Sequence, residues 1–222
     1  GLGVFYALAL PEWGYDQPAQ NAGYIYSDAY TRDQLAWQMA DEGQPLAATF
    51  QQSSGEQYGG LLALSTLIYR VFSPDAHRPW LILLVAAFSA AAGIPFLWRG
   101  LQKRYGNWVA GVACWIFALY PENLLLGAAQ MREPLLIGLS GIGFWAVLEQ
   151  DTPTLKRWIS LGAALAGMVL ISPPAGLFAG LMCGGWIFME HIQFSGKRRW
   201  LMGILIGLGV LVFVALLWNW FW

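Results

Sequence analysis

Two segments of the chain place ionisable side chains beside long apolar runs. The first segment, GYIYSDAYTRDQLAWQMADEGQP over 23–45, carries four carboxylates: Asp28, Asp33, Asp41 and Glu42. The second segment, ALYPENLLLGAAQMREPLL over 118–136, carries Glu122, Arg132 and Glu133. Ionisable groups at membrane depth are costly and usually face a cavity or a partner. Both segments are therefore candidates for chemistry at a membrane surface.

Asp28 is the first candidate for proton transfer. It precedes a predicted short helix, one face of which would hold Tyr30, Leu35, Trp37 and Met39. One interpretation makes Asp28 the N-cap of that helix, accepting from a backbone N–H. The other makes it a carboxylate held at the membrane surface to take a proton from an acceptor. We interpret the other three carboxylates of the segment as a solvated face.

The pair Arg132–Glu133 is the second candidate. Glu133 comes just before Pro134, a residue that suits the first turn of a helix. In one interpretation Glu133 caps the helix, or Arg132 and Glu133 form a structural ion pair. The other, which we favour, is functional: Arg132 would bind a phosphate, or Glu133 would assist an acceptor.

Two weaker candidate sites precede the next apolar run. In GEQYGGL, Glu56 and Tyr58 lie at a predicted helix N-terminus, where a phosphate is electrostatically favoured. In SPDAHRPW, His77 and Arg78 come directly before an apolar run. Either side chain could contact a lipid phosphate, although an interfacial anchor is the simpler role.

The composition indicates a membrane protein. Hydrophobic residues make up 57% of the 222 residues and charged residues only 11%, with a mean hydropathy of +0.48, whereas soluble domains carry roughly 25% charged residues. The formal net charge of −1 argues against nucleic acid as a partner. The sequence shows no phosphate-binding glycine loop, no His/Cys metal cluster and no GxSxG elbow, so no metal site is predicted.

The apolar runs predict an all-α, polytopic protein with about seven transmembrane helices. Residues 1–10 would end a first helix that begins before Gly1, and 11–78 would form an outer loop with juxtamembrane helices. Six spans would then fill 79–222, at about 79–98, 108–126, 135–149, 158–192 as two helices broken at Pro173–Pro174, and 200–222.

The distribution of charged residues predicts how the helices are oriented in the membrane. Lys and Arg concentrate in three short connections, at 99–104, 156–157 and 197–199, which the positive-inside rule assigns to the cytoplasm. The 11–78 segment holds eight acidic and three basic residues and is assigned to the outside. Residues 58–72 fit this layout as a helix lying in the outer interface. The predicted localisation is the cell membrane, multi-pass.

The segments YSDAYTRDQLAWQMADEGQP, GEQYGGLLALSTLIYRVFSPDAHRPWL and LYPENLLLGAAQMREPLL resemble the membrane-embedded GT-C glycosyltransferases, in particular the family 39, protein O-mannosyltransferase-like group. In that superfamily a first helix leads into a long outer loop with juxtamembrane helices and an essential acidic residue close behind the first span, and a second acidic motif follows the third span. Asp28 matches the first position and Glu133 the second. Family members carry further helices or a soluble domain after this seven-helix module.

The resemblance implies inverting transfer of a sugar from a polyprenyl-phosphate donor to an acceptor at the outer face. Asp28 would act as general base, Arg132 would stabilise the departing phosphate with Arg78 or Tyr58 as weaker candidates, and Glu133 would orient the acceptor or help hold a metal. Mg²⁺ or Mn²⁺ would suit these carboxylates but is not required.

The alternative is a non-catalytic scaffold or accessory subunit with the same helical module. It would pack against partner membrane subunits, and side chains or a partner would fill its outer cavity. An enzyme would instead leave a groove open to lipid beside the carboxylates. Small-residue runs such as GLMCGG at 180–185 would support tight helix packing in either case.

Overall fold

The computed structural model describes residues 2–51, 59–149 and 154–191, and within these ranges it contains helices and no strand. The helices are α1 Leu2–Trp13, α2 Pro18–Asn21, α3 Ser27–Asp41, α4 Gly60–Phe72, α5 Trp80–Tyr105, α6 Asn107–Leu119, α7 Pro121–Gly127, α8 Glu133–Leu148, α9 Thr154–Ile171 and α10 Pro173–His191. A 3₁₀ turn, Leu46–Phe50, lies between α3 and α4. The predicted all-α class is confirmed.

One of the predicted membrane spans is broken into two helices. The run 108–126 forms two helices, α6 and α7, bent by 55° at Tyr120. Tyr120 has a non-helical ψ of 122°, because the ring of Pro121 disfavours the helical conformation of the residue before it. The predicted break near Pro173 is confirmed, since α9 ends at Ile171 and α10 begins at Pro173. The run 200–222 and the basic connection 197–199 lie outside the described residues.

Length and composition identify α5 as able to cross a membrane, and α6 with α7 as a second span if the bent pair counts as one. Only four of the 26 residues of α5 are buried. Large apolar side chains lie on the outside of several helices, including Phe88 on α5, Trp115 on α6 and Leu170 on α9. Exposed apolar patches of this kind mark interaction or membrane surfaces.

Glycines allow α5 and α8 to pack closely. A Cβ built at Gly93 would lie 2.8 Å from the Cα of Gly138, and one built at Gly141 would lie 2.8 Å from the Cα of Gly93. Side chains at these positions would push the helices apart. In the predicted small-residue run 180–185, by contrast, Cβ atoms at Gly180 and Gly184 would meet nothing within 4 Å.

The segment between α1 and α5 has a core of its own. α3 packs on α4 through buried Ala36, Met39, Leu62 and Tyr69, and Ile82 at the start of α5 completes the cluster. Arg70, on α4, connects the same elements, because its guanidinium donates to the carbonyl of Met39 in the last turn of α3 and to that of Gln44 after the helix. This core fixes the positions of the polar side chains described next.

Candidate functional site

A buried carboxylate lies at the centre of the outer segment. Asp33, on α3, is 2% exposed and accepts hydrogen bonds from three directions. The Tyr24 hydroxyl donates to Oδ2 at 2.5 Å, the Tyr69 hydroxyl donates to Oδ1 at 2.5 Å, and His77 Nε2 lies 2.7 Å from Oδ2. The donors come from the loop before α3, from α4 and from the loop before α5. We name these four residues the Asp33 cluster.

The prediction that Asp33 belongs to a solvated face is therefore wrong. The buried face of α3 consists of Ala29, Asp33, Ala36 and Met39, a spacing of four, three and three residues that follows the helical period. The small alanines let α4 and the preceding loop approach closely, and Asp33 lies between them. The sequence signal for this face is a stripe of alanines at helical spacing with one carboxylate among them, and a helix face defined by large apolar residues does not include it.

The two tyrosines remain hydrogen-bond donors throughout the physiological pH range. Burial, and then the neighbouring charge of Asp33, raises the pKa of the Tyr24 hydroxyl well above its usual value. The same two causes, in the same order, raise the pKa of the Tyr69 hydroxyl. Both phenols therefore stay neutral and can stabilise the carboxylate without adding a negative charge beside it.

His77 connects the buried carboxylate to the surface. Its side chain is 22% exposed, whereas that of Asp33 is 1% exposed. The imidazole stacks on the Trp37 ring, with centroids 5.5 Å apart and planes at 26°, and it meets the Tyr69 ring edge-on. The sequence predicts that His77 contacts a phosphate or anchors the chain at the interface. In the structure, the contact with Asp33 also fixes the orientation of the imidazole ring.

The two segments that carry Asp28 and Glu133 meet in the fold. Met131 packs against a cluster of buried residues that includes Ala29, the neighbour of Asp28. The Arg32 guanidinium, one helical turn after Asp28, donates to the carbonyl of Gln130. These contacts place the two segments side by side.

Asp28 itself is exposed and lies in the first turn of α3. The N-cap interpretation is wrong, because the N-cap position is Tyr26 and no side chain caps this end. A carboxylate in the first turn is instead stabilised by the partial positive charge of the helix N-terminus. Within the described residues no hydrogen bond or ion pair involves the Asp28 carboxylate, so it is accessible to an acceptor.

Arg132 and Glu133 form the predicted ion pair, with Nε and Oε1 3.4 Å apart. Glu133 is the first residue of α8, and its Oε2 is shielded from solvent with no hydrogen-bond partner among the described residues. A shielded carboxylate oxygen without a donor is costly, which makes it a candidate acceptor for a ligand hydroxyl. The cap interpretation of Glu133 finds no support, since the N-cap position is Arg132.

The remaining predicted site residues fall in different places. Arg78 is exposed, directly after His77. Glu56 and Tyr58 lie outside the described residues. No group of three or more His, Cys, Asp or Glu side chains with the arrangement of a metal site is found in the ranges that the structure describes.

An apolar groove runs beside this region. One cavity of about 240 Å³ is lined by α1, by the loop around Tyr24, by Pro79 and Trp80, and by Gln130. A second cavity, of about 340 Å³, shares Leu83 with the first and continues between α1, α5 and α7. We name the two cavities together the α1–α5 groove. Its walls are mainly apolar. Among its polar wall residues, Tyr24 belongs to the Asp33 cluster, Gln130 lies beside Tyr24, and Asn123 lies in the second cavity.

A second polar cluster lies near the far end of α5. Glu149, fully buried after α8, pairs with Arg99 at 3.1 Å and with Lys103 at 2.7 Å. Arg157, on α9, donates to the carbonyls of the last turn of α8. This cluster holds side chains from two of the three predicted basic connections.

Comparison with protein-family models, with curated proteins and with solved structures finds no match to this chain.

Proposed function

We propose that the chain is a membrane glycosyltransferase that moves a sugar from a polyprenyl-phosphate donor to an acceptor at the outer face of the membrane. The observation that carries this proposal is the α1–α5 groove, an apolar channel whose wall includes Tyr24, Ala29 and Gln130. The groove therefore reaches the two segments that carry Asp28 and Glu133. A lipid-linked donor needs this combination of an apolar channel and polar groups.

The distance between the two polar clusters supports a membrane-spanning arrangement. Trp80, which begins α5 beside the Asp33 cluster, precedes Arg99 of the basic cluster by 19 residues along one helix. At 1.5 Å per residue this is about 30 Å, the thickness of the hydrocarbon core of a bilayer. The helix surface between them is largely exposed and apolar. This supports placing the acidic segment and the basic connections on opposite sides of the membrane, and the charge distribution then assigns the basic side to the cytoplasm.

The proposed reaction is a direct displacement at the anomeric carbon. Asp28 accepts the proton of the acceptor hydroxyl, whose oxygen attacks the anomeric carbon from the side opposite the phosphate. The bond between that carbon and the phosphate oxygen breaks, the electron pair leaves with the polyprenyl phosphate, and the configuration inverts. Arg132 stabilises the departing phosphate, and Glu133 hydrogen-bonds the acceptor through its free oxygen.

The groove favours this function over the scaffold alternative, for which side chains or a partner would fill the outer cavity. The two functions differ in one measurable result, because a scaffold would transfer no sugar from any donor. The assay supplies a panel of polyprenyl-phosphate sugars as donors, and the rates identify the preferred sugar.

The test is transfer by the full chain in proteoliposomes, followed as release of polyprenyl phosphate. We expect Asp28→Asn to lower the rate by about 10²–10⁴-fold, the usual contribution of a general base, while membrane insertion is unchanged. Asp41→Asn, an exposed carboxylate at the other end of α3, is the matched control and should retain the rate. Activity that survives in Asp28→Asn would overturn the assignment of the base.

A further inference from the structure

We propose that Asp33 is a positioning residue that holds the His77 imidazole as a hydrogen-bond donor for the phosphate of the lipid-linked donor, so that phosphate binding requires a protonated imidazole. This inference rests on the proposed function, which supplies the phosphate. It goes further by giving the buried Asp33 cluster a role in ligand recognition.

The hydrogen bonds of the cluster decide which imidazole nitrogen is available. An ionised carboxylate only accepts hydrogen bonds, so Nε2 of His77 must donate to Oδ2 of Asp33, from which it lies 2.7 Å away. Nδ1 is then the nitrogen left for a ligand, and within the described residues it has no hydrogen-bond partner. His77 is also the partly exposed member of the pair. It can contact a ligand that Asp33 cannot reach.

A phosphate oxygen also only accepts hydrogen bonds, so Nδ1 must carry a proton to bind it. The imidazolium would then donate to Asp33 through Nε2 and to the phosphate through Nδ1, with one positive charge between two negative charges. Such charge-assisted hydrogen bonds are roughly twice as strong as neutral ones. The Trp37 ring stacked on the imidazole favours a cation by its π face, and exposed Arg78 supplies a second positive charge next to it in the chain.

The α1–α5 groove passes close to His77. Its wall includes Tyr24, whose hydroxyl is bonded to Asp33, and Pro79, two residues after His77. A polyprenyl tail in the groove would leave its phosphate at the end next to the Asp33 cluster. The tail and the phosphate would thus be recognised by adjoining parts of the same structure.

The groups around His77 indicate which titration controls binding. Asp33 faces the ring from α3, Tyr69 from α4 and Tyr24 lies across the shared carboxylate, while Arg78 and the exposed Asp75 are on the same loop. Both phenols have raised pKa values and stay neutral. An imidazolium loses its proton as the pH rises, and only the protonated ring can donate to both Asp33 and a phosphate. Binding of a phosphate with constant charge should therefore weaken as the pH is raised.

The test is calorimetric binding of farnesyl methyl phosphate to the full chain in lipid nanodiscs at pH 5.5, 6.5, 7.5 and 8.0. This phosphodiester keeps one negative charge throughout, so any change in affinity comes from the protein. We expect the affinity to fall about tenfold or more from pH 5.5 to 8.0. His77→Gln should bind about tenfold more weakly at pH 5.5 and show no pH dependence. Equal affinities of His77→Gln and the unmodified chain at every pH would overturn the proposal.

Two further variants separate positioning from stability. Asp33→Asn removes the anion that fixes the imidazole, and we expect its pH dependence of binding to differ from that of the unmodified chain. Tyr69→Phe removes one hydrogen bond to Asp33 but leaves the Asp33–His77 contact, so it should lose stability and keep the pH dependence. If Asp33→Asn does not fold, the comparison of His77→Gln with Tyr69→Phe still decides the question, because His77 lies in a loop outside the helices. Loss of the pH dependence in Tyr69→Phe as well would make the cluster purely structural.

Two control ligands identify the source of the phosphate. Dimethyl phosphate lacks the tail and farnesol lacks the phosphate; both should bind far more weakly than farnesyl methyl phosphate. Equal binding of dimethyl phosphate would overturn the lipid assignment, and equal, pH-dependent binding of farnesol would overturn the role of His77. These measurements need no sugar transfer. A chain that binds as expected but transfers no sugar would contradict the proposed function and leave this inference standing.

Discussion

Replacing Asp33 by alanine should be among the most damaging changes to the outer segment. The substitution removes three hydrogen bonds and leaves the buried hydroxyls of Tyr24 and Tyr69 without an acceptor. Each buried polar group without a partner costs about 1–3 kcal/mol, while relief of the desolvation of the carboxylate offsets part of that cost. We expect a net loss of about 3–5 kcal/mol, the usual range for breaking a buried charged interaction.

The assay is thermal unfolding in detergent micelles, followed by tryptophan fluorescence, since Trp37 packs beside the cluster. For a chain of this size, 1 kcal/mol shifts Tm by about 2–4 °C, so the expected decrease is roughly 6–20 °C. Asp41→Ala, on the same helix but exposed, is the matched control and should stay within about 0.5 kcal/mol of the unmodified chain. If Asp33→Ala melts together with Asp41→Ala, the Asp33 carboxylate is neither buried nor paired, and the description of the cluster fails.

Two further predictions concern pH and packing. Burial, and then Asp33, raises the pKa values of Tyr24 and Tyr69 in the folded chain. The contribution of the two hydroxyls to stability should therefore be fully present below about pH 10 and be lost above it, by about 1.4 kcal/mol per pH unit for each tyrosine. Denaturant unfolding from pH 9 to 11.5 should show a shallower loss of stability in Tyr69→Phe than in the unmodified chain, and an identical slope would refute the burial of the Tyr69 hydroxyl. At the α5–α8 contact, Gly141→Ala would force a Cβ against the backbone of Gly93 and should destabilise by about 1–3 kcal/mol. Gly143→Ala on the same helix meets nothing within 4 Å and should be neutral or stabilising by up to about 1 kcal/mol; equal melting temperatures of the two variants would contradict the close packing.

Much of the helical layout could be predicted from the sequence, because apolar runs and prolines act locally. Pro173 ended one helix and began the next, as its missing N–H requires. Pro121 broke a run that hydropathy alone had treated as continuous, and the same local rule applied to its preceding residue would have predicted the bend at Tyr120. The predicted number of spans and their orientation remain predictions.

The candidate site was harder to predict, because it depends on contacts between distant residues. The alanine stripe marks the face of α3 that carries Asp33. The hydrogen bonds that enclose the carboxylate come from Tyr24, and from Tyr69 and His77 much later in the chain. The Arg132–Glu133 pair was predictable because its members are neighbours in sequence. Apolar periodicity is a guide to cores made of large side chains, and it fails for a face of alanines around one carboxylate.

The most direct test of the account is to locate a photoreactive farnesyl phosphate on the full chain in nanodiscs by crosslinking and peptide mapping. Because the α1–α5 groove is lined by residues such as Val4, Leu83 and Ala128, labelled peptides should come from α1, α5 and the segment around 128–130, and unlabelled farnesyl phosphate should compete. Labelling spread over the outward apolar faces at Phe88 and Trp115, without competition, would contradict a lipid-phosphate site in this groove.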